Sequence, residues 1–432
     1  MTEEKNLKRK MMAKSSFMFL LFCLICIWVA PASASRQVEM RIIGMFDLTG
    51  PYAALHQTFV RATKDFVDWA NKEPGYLPAE VKIKYEIYDT GADLGKAVAA
   101  WQMATTKKPI PILTMGGNAA HTILGIKPLA KRSKIPCIDG SSARPIMYPP
   151  GWAFSLQPCY EGLVAGAAQF LKDNWRKDTP YKLIRKRYEE SKGRNPRFAI
   201  FGWDNAFGRS FDQKEARNYI RKIGVDLVNS EYIPWNPTDT SPQVLRLVKA
   251  GVDMIYFGML AESHSFILKD AARLGVRDKF QDMAFSADNI IQLKNYIPEI
   301  SNGSMILTSN QADMNEWNPV FKQMFIKTGM HENFSFGYSL PQAWFDVYAE
   351  IIRRGVKKVG AENVTGEVVY DVITSMTDYK PMSYNSDVTF SKTKRYAANY
   401  ASIYQNQNGK IIKIENSIYL PDLVPGGKDV VK

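Results

Sequence analysis

The sequence predicts an α/β protein made of two doubly wound, parallel-sheet lobes joined by a three-crossover hinge. Three observations predict this. Short apolar runs alternate with stretches of helical periodicity along most of the chain, the pattern of parallel strands covered by helices on both faces. The alternation falls into two blocks, one on either side of residue 158. Roughly 400 residues follow the first segment, too many for a single core.

That first segment has the features of an export signal. Lys5, Lys8, Arg9, Lys10 and Lys14 give a positive start, and an almost unbroken apolar run covers 17–29. Pro31, Ala32, Ser33 and Ala34 follow, and Ala32-Ser33-Ala34 fits a small-residue cleavage site. The run is shorter than the roughly 20 residues that span a bilayer. Cys23 and Cys26 lack the small-residue setting of a lipid anchor and read as apolar filler. Residues 1–34 are therefore set aside as a signal peptide, and the mature chain is expected in the periplasm or another extracytoplasmic space.

In the first block, 41–46 reads as a strand closing in the turn Asp47-Leu48-Thr49-Gly50-Pro51. Phe59, Phe66, Val67 and Ala70 recur at helical spacing. Residues 81–88 alternate with Lys82, Lys84 and Glu86, a half-exposed strand. A helix over 97–103, a strand over 110–115, a helix over 119–131 and a strand over 135–138 complete the block. The second block predicts helices over 163–171, 211–223, 241–248 and 263–274, with strands over 198–201, 225–232, 252–257 and 305–308. Pro242 near a helix start and Gly275 past a helix end fit their usual places. Helices over 321–325, 343–352 and 368–376 come next. The tail changes character, with short strands over 387–390, 400–404 and 411–414 and a hairpin turn over 406–409. Crossings between lobes are expected near 157–161, 307–311 and 390–394. This divides the chain into 35–158 with 308–390, and 159–307 with 391–432.

In open parallel sheets ligands bind beyond the carboxyl ends of the strands. The polar, glycine-containing loops at 47–51, 116–118, 139–144, 203–208 and 286–289 lie at those ends, so two facing lobes make a cleft.

The formal net charge is +13. The signal region holds five Lys/Arg against two Glu, so +10 remains after its removal. Such a charge can mark a nucleic-acid or anionic-surface partner. Export and the interleaving of acids with bases argue against nucleic acid. The one dense basic stretch, 182–197, reads as a solvated surface insertion. Cys137 and Cys159 remain in the mature chain. Cys137 lies in an apolar strand, which favours a buried thiol, although an oxidising compartment permits a bridge.

Motifs of catalysis are missing from the sequence. The four histidines, His56, His121, His264 and His331, are scattered, and His331-Glu332 lacks a second metal-binding His. There is no G-x-S-x-G and no G-x-G-x-x-G. Gly91 to Lys96 superficially resembles a phosphate loop, but it has three residues between the glycines where four are needed, and Ala97 stands where a hydroxyl would bind magnesium. No catalytic residue, metal ligand or cofactor is expected.

Taken in order, several blocks resemble one family. These are Ile42-Ile43-Gly44-Met45-Phe46-Asp47-Leu48-Thr49-Gly50-Pro51, then Gly116-Gly117-Asn118-Ala119-Ala120, then 135–145, then Asp204-Asn205-Ala206-Phe207-Gly208-Arg209, then Ala250-Gly251-Val252-Asp253 and Ala271-Ala272-Arg273-Leu274-Gly275. Together they resemble the leucine/isoleucine/valine-binding proteins of branched-chain amino-acid importers, which have the type I periplasmic binding fold. The resemblance implies a ligand carboxylate held by hydroxyls and backbone N–H groups at Asn118, Ala119, Ser141, Ser142 and Ala143, where N–H groups at helix starts suit an anion. Asn118 also reads as a helix N-cap and the serines as turn residues. Phe207 matches an aromatic position that stacks on the ligand, or it is a core ring. Asp288 takes the place of the family's ammonium-binding Glu, or it caps a helix. Arg144 is a departure from the pattern and offers a partner for a carboxylate.

The implied function is a monomeric, non-enzymatic receptor. It closes by a hinge on an amino acid, amide or related carboxylate and docks on an inner-membrane ABC permease. A sensor for a membrane signalling partner and an exported enzyme are the alternatives.

Overall fold

The computed structural model describes residues 37–50, 52–116 and 120–431. The signal segment lies outside them, as do Asn118 and Ala119. Among the described residues no helix is long and apolar enough to cross a membrane.

Two sheets form. The first has the order β2-β1-β3-β4-β5, all parallel, from β1 (Val38–Phe46), β2 (Val81–Asp89), β3 (Leu113–Gly116), β4 (Cys137–Asp139) and β5 (Ala153–Ser155). The second is built from β6 (Arg197–Trp203), β7 (Asp226–Leu227), β8 (Glu231–Ile233), β9 (Met254–Gly258), β10 (Gln281–Ala284) and β11 (Met305–Thr308). Its parallel part runs β7-β6-β9-β10-β11, with β8 also pairing β6. Counted from its own first strand, the second sheet repeats the order of the first. In both lobes the chain reverses direction beside the first strand, at β1/β3 and at β6/β9, where the strand-end loops part and leave a crevice.

The antiparallel hairpin of β12 (Tyr400–Gln407) and β13 (Lys410–Tyr419) extends the second sheet beyond β11. Asn408 and Gly409 both have positive φ, 53° and 80°, which is what a two-residue type I′ turn requires of Asn-Gly.

Local sequence explains the helices that frame the crevice. α1 (Ala53–Ala70) buries His56, Phe59, Phe66 and Val67 on one face. α2 (Leu94–Thr106) is capped by Asp93, whose carboxylate accepts from the Lys96 N–H at 2.7 Å, so the glycine pair around it is a helix start and not a phosphate loop. α3 (Ala120–Ser133) follows β3, and the four-residue α4 (Arg144–Met147) follows β4. α5 (Tyr160–Asp173), α6 (Lys182–Glu190), the one-turn α7 (Ala206–Arg209) and α8 (Lys214–Lys222) come next. The helix expected over 211–223 is the shorter α8, preceded by the separate turn α7, and the strand expected over 225–232 is two pieces, β7 and β8. α9 (Ser241–Lys249), α10 (Ala261–Arg273) and α11 (Ala287–Tyr296) cover the second sheet, and Gly275 past α10 has φ 70°.

After β11 the chain returns to the first lobe. α12 (Pro319–Thr328) places Phe321 against Phe66. α13 (Ser335–Val359) packs on α1 and on the first sheet through Trp344–Phe59 and Phe345–Tyr85 ring contacts, and α14 (Gly366–Thr374) follows. Residues 387–390 form no strand; Val388 makes only a single bridge to Tyr379. Tyr396 still bridges Ser155 of the first sheet, and Tyr400 opens β12.

Cys137 and Cys159 are free and buried; the Cys159 thiol donates to the Glu161 carboxylate. The basic stretch is more than solvated surface. Arg187 Nε and Arg194 Nη1 reach the fully buried Asp253 carboxylate at 3.0 and 2.6 Å, and the Arg197 N–H donates to it at 2.8 Å. These bonds fasten α6 and the loop after it onto the start of β9. Asp253→Ala strips a buried acceptor from three donors. It is expected to lower unfolding stability by about 3 kcal/mol in urea denaturation, with the far-ultraviolet circular dichroism of the native state unchanged.

Candidate functional site

The crevice between the lobes has two connected spaces that share Leu55 and Leu260 as wall residues. The inner one, about 20 Å³, lies at the hinge. Leu55, Gly140, Phe336 and Leu340 of the first lobe face Tyr160, Leu260, Phe285 and Ser286 of the second, with Gln157 and Asn310 from two of the crossings. The outer one, about 310 Å³, is lined by Tyr52, Thr58, Asn333 and Phe334 on one side and by Trp203, Trp235, Glu262, Asp288, Gln292 and Tyr296 on the other. Many of these residues stand just past the carboxyl ends of β1, β4, β6, β8, β9 and β10 or on the first turns of the helices that follow.

Hydrogen bonds and ring contacts fix the walls. Asp47 at the end of β1 accepts from the Gly50 and Tyr52 N–H groups, which turns the chain and points α1 at the cleft. Its own N–H donates to His56 Nδ1 at 2.9 Å. Burial pushes the His56 ring down to about 3, so it stays neutral. Tyr52 stacks on His56 and meets Trp235 edge-on at 5.3 Å between centroids. Trp203 and Trp235 lie 4.0 Å apart. The Trp203 Nε1–H donates to Ser263 Oγ at 2.9 Å, and that hydroxyl donates to the Trp235 carbonyl at 3.1 Å. The two indoles are thereby held as one rigid apolar wall.

Asp288 is the buried charge of the outer space, 3% exposed. Ser286 caps α11 by accepting from the Asp288 N–H at 3.2 Å, and Asp288 accepts from Gln292 Nε2. Burial raises its carboxyl to about 6, with the Gln292 bond opposing. It makes no ion pair among the described residues. In the inner space Asn310 Oδ1 is buried without a donor among the described residues.

The other expected site residues are distributed as follows. The Ser141 N–H donates to Asp139, and its hydroxyl is 3.5 Å from the Tyr160 hydroxyl, one residue beyond Gly140 of the inner space. The Ser142 hydroxyl donates to the Pro158 carbonyl and serves the first crossing. Ala143 is the N-cap residue of α4. Arg144 does not face the cleft space. Its guanidinium donates to Glu161 at 2.5 Å, to Glu215 at 2.8 Å and to the Leu423 carbonyl at 2.7 Å. It ties the two lobes together through two carboxylates. Phe207 lies behind the wall in a ring cluster with Tyr160, Trp203, Phe211 and Phe285.

The sequence alone did not single out Tyr52, Trp203, Trp235, Gln292 or Asn310. Trp235 lies in the irregular stretch after β8, where no periodicity marks it, although an exposed-loop Trp flanked by Pro234 and Asn236 is a usable signal.

A family profile for periplasmic binding proteins matches residues 40–410, nearly the whole described chain. The chain belongs to the periplasmic binding protein family. Solved structures agree on the fold. A branched-chain amino acid ABC transporter protein of Thermus thermophilus with bound valine superposes on this periplasmic binding protein with a TM-score of 0.73 at 20% identity, covering 89% of this chain and 97% of that one. A solute binding protein of R. palustris in complex with 4-hydroxybenzoate gives 0.66 at 16% identity, covering 89% and 98%. A leucine-binding protein of Thermotoga maritima gives 0.65 at 17%, covering 88% and 99%. At such identities the likeness speaks for the fold. No curated protein sequence matches significantly.

Proposed function

We propose that this periplasmic binding protein is the solute receptor of an ABC importer: it captures a small organic molecule between its lobes and presents the closed form to a membrane permease, without transforming it. The Tyr52–Trp235 contact at 5.3 Å carries this reading, because it joins the two lobes over the outer cavity of about 310 Å³. A guest there touches both lobes at once and so favours closure over opening. The cavity suits a molecule the size of an amino acid or a benzoate, the ligand sizes named for the relatives above.

The moving units are 35–158 with 308 to about 396, and 159–307 with the remainder of the tail. Export follows cleavage after Ala34, and the secreted chain acts as a monomer.

The test is a thermal-shift screen of the mature protein with amino acids, amides, aromatic acids and amines. A ligand at a hundredfold excess over its Kd adds about 2.7 kcal/mol to stability, a clear rise in melting temperature. At least one member is expected to produce it, and the rise should disappear in Trp235→Ala. A flat result across all four classes overturns the reading.

A further inference from the structure

We infer that the lobes carry an ionic latch of their own beside the cleft. Lys294 and Lys413 of the second lobe hold Glu332 and Glu316 of the first, and bias the protein toward its closed form before any guest arrives. The inference rests on the hinge motion of the solute-receptor reading and adds a regulator to it, the ionic strength of the surrounding fluid.

Position argues first. Lys294 is on α11, which covers the second sheet, and its Nζ lies 3.1 Å from Glu332, in the segment that leads into α13 of the first lobe. The next residue of each segment repeats the crossing, with Asn295 Nδ2 donating to Asn333 Oδ1. Lys413 is on β13 of the second sheet, and its Nζ lies 2.9 Å from Glu316, just ahead of α12 of the first lobe. The other oxygen of Glu316 accepts from the Tyr404 hydroxyl of β12 at 2.5 Å. Asn385 accepts from Lys413 Nζ at 3.1 Å and donates to the Tyr404 hydroxyl at 2.9 Å. Glu316 is thus gripped by both strands of the hairpin.

The seam argues second. A groove of about 500 Å³ separates the lobes here, with Lys294 and Glu332 on its walls. Apolar packing does not fill this groove, so the polar bonds across it carry the attraction. Both cations belong to the second lobe and both anions to the first. Lys410 of the hairpin and Asp313 of the first lobe add charges of the same polarity to the walls, and the opposing charge, Lys322, is tied to Asn315 at 3.0 Å.

Independence from the guest argues third. None of the four latch residues is among the described residues lining the two guest spaces. Their bonds therefore add to whatever a guest contributes, and a guest meets a larger closed fraction, which lowers its apparent Kd in proportion. Lys294, Lys413 and Glu316 are 17%, 20% and 27% exposed, whereas Glu332 is 41% exposed, so Lys294–Glu332 is the pair that salt reaches most easily.

The experiment is small-angle X-ray scattering on the mature protein at pH 7.5, dialysed free of solute, in about 0.02 M and about 1 M NaCl, where the Debye length falls to about 3 Å. The variants are Lys294→Glu, Glu332→Lys, the two together, and Lys413→Met, each first checked for a native circular dichroism spectrum. The parent should be mostly closed in low salt. High salt, and either single charge reversal in low salt, should each raise the open fraction at least about threefold. The double reversal should return it to the parental value. Lys413→Met should open the protein as well, and a parental value for it overturns the assignment of that pair. A parent already open in low salt overturns the latch. So does an open fraction that neither salt nor a single reversal changes, and so does a double variant as open as the single ones. None of these measurements needs a guest, so their failure leaves the receptor reading to be decided separately by the thermal-shift screen.

Discussion

Asp288→Asn makes the ligand-free protein more stable at neutral pH. Burial holds the native carboxyl near 6, against an ordinary value of 3.8, because the cleft supplies no cation to offset desolvation. A difference of that size corresponds to about 3 kcal/mol of penalty once the group is ionised. The sign follows from linkage. The folded state holds this proton more tightly than the unfolded chain, so the contribution is fully favourable below the unfolded value and is lost as pH rises through 6. The gain of the Asn variant is therefore largest at pH 7.5 and above, shrinks through pH 6 and is gone near pH 4. Gln292 Nε2 still finds a carbonyl oxygen on Asn, so no bond is sacrificed. Urea denaturation of both proteins from pH 4 to 8 measures this. A residue whose removal stabilises the empty protein is retained for what it binds. A variant equally or less stable than the parent at pH 7.5 shows that the carboxylate is compensated.

Arg144→Ala is the largest loss expected. The side chain ties α4 of the first lobe to α5, α8 and the tail of the second through Glu161, Glu215 and the Leu423 carbonyl. Glu161 is 1% exposed, and without Arg144 its carboxylate keeps the Cys159 thiol as its side-chain partner. Stranding a buried charge this way costs about 3–5 kcal/mol. Burial already lifts the Glu161 carboxyl above its usual range, so in the variant it takes up a proton readily. The loss is accordingly greatest at pH 8 and smaller at pH 5. Adding Glu161→Gln removes the stranded charge, and the double variant is expected to recover most of the lost stability at pH 8. Additive losses would place the contribution of Arg144 in packing and not in its charge. Because the clamp joins the two lobes, solute binding in Arg144→Ala should also weaken, by the fraction of molecules that have opened.

Much of the fold was legible in the sequence. Strand and helix periodicities, the Asn408-Gly409 turn and the Gly275 stop are local signals. They act through neighbouring residues, so the chain states them directly. The strand-end loops, and with them the position of a cleft, follow from the parallel order. Asp288 was legible too, as an acid on a loop at a strand end. The carboxylate partners of Arg144 were not legible, because both come from the other lobe, at separations of 17 and 71 residues, and no local pattern encodes such a pairing.

The sequence by itself determined the α/β class, the two-lobed division, the strand ends that face the cleft and the absence of familiar catalytic motifs. Only the tertiary structure decided which side chains share the cleft. Tyr52, Trp203, Trp235 and Asp288 are 53 to 236 residues apart in sequence, except for the Trp pair, which is 32 apart. Their meeting depends on how the two sheets and their loops pack against each other. Burial, which sets both the charge of Asp288 and the environment of His56, is a property of that closed packing and has no counterpart in the unfolded chain.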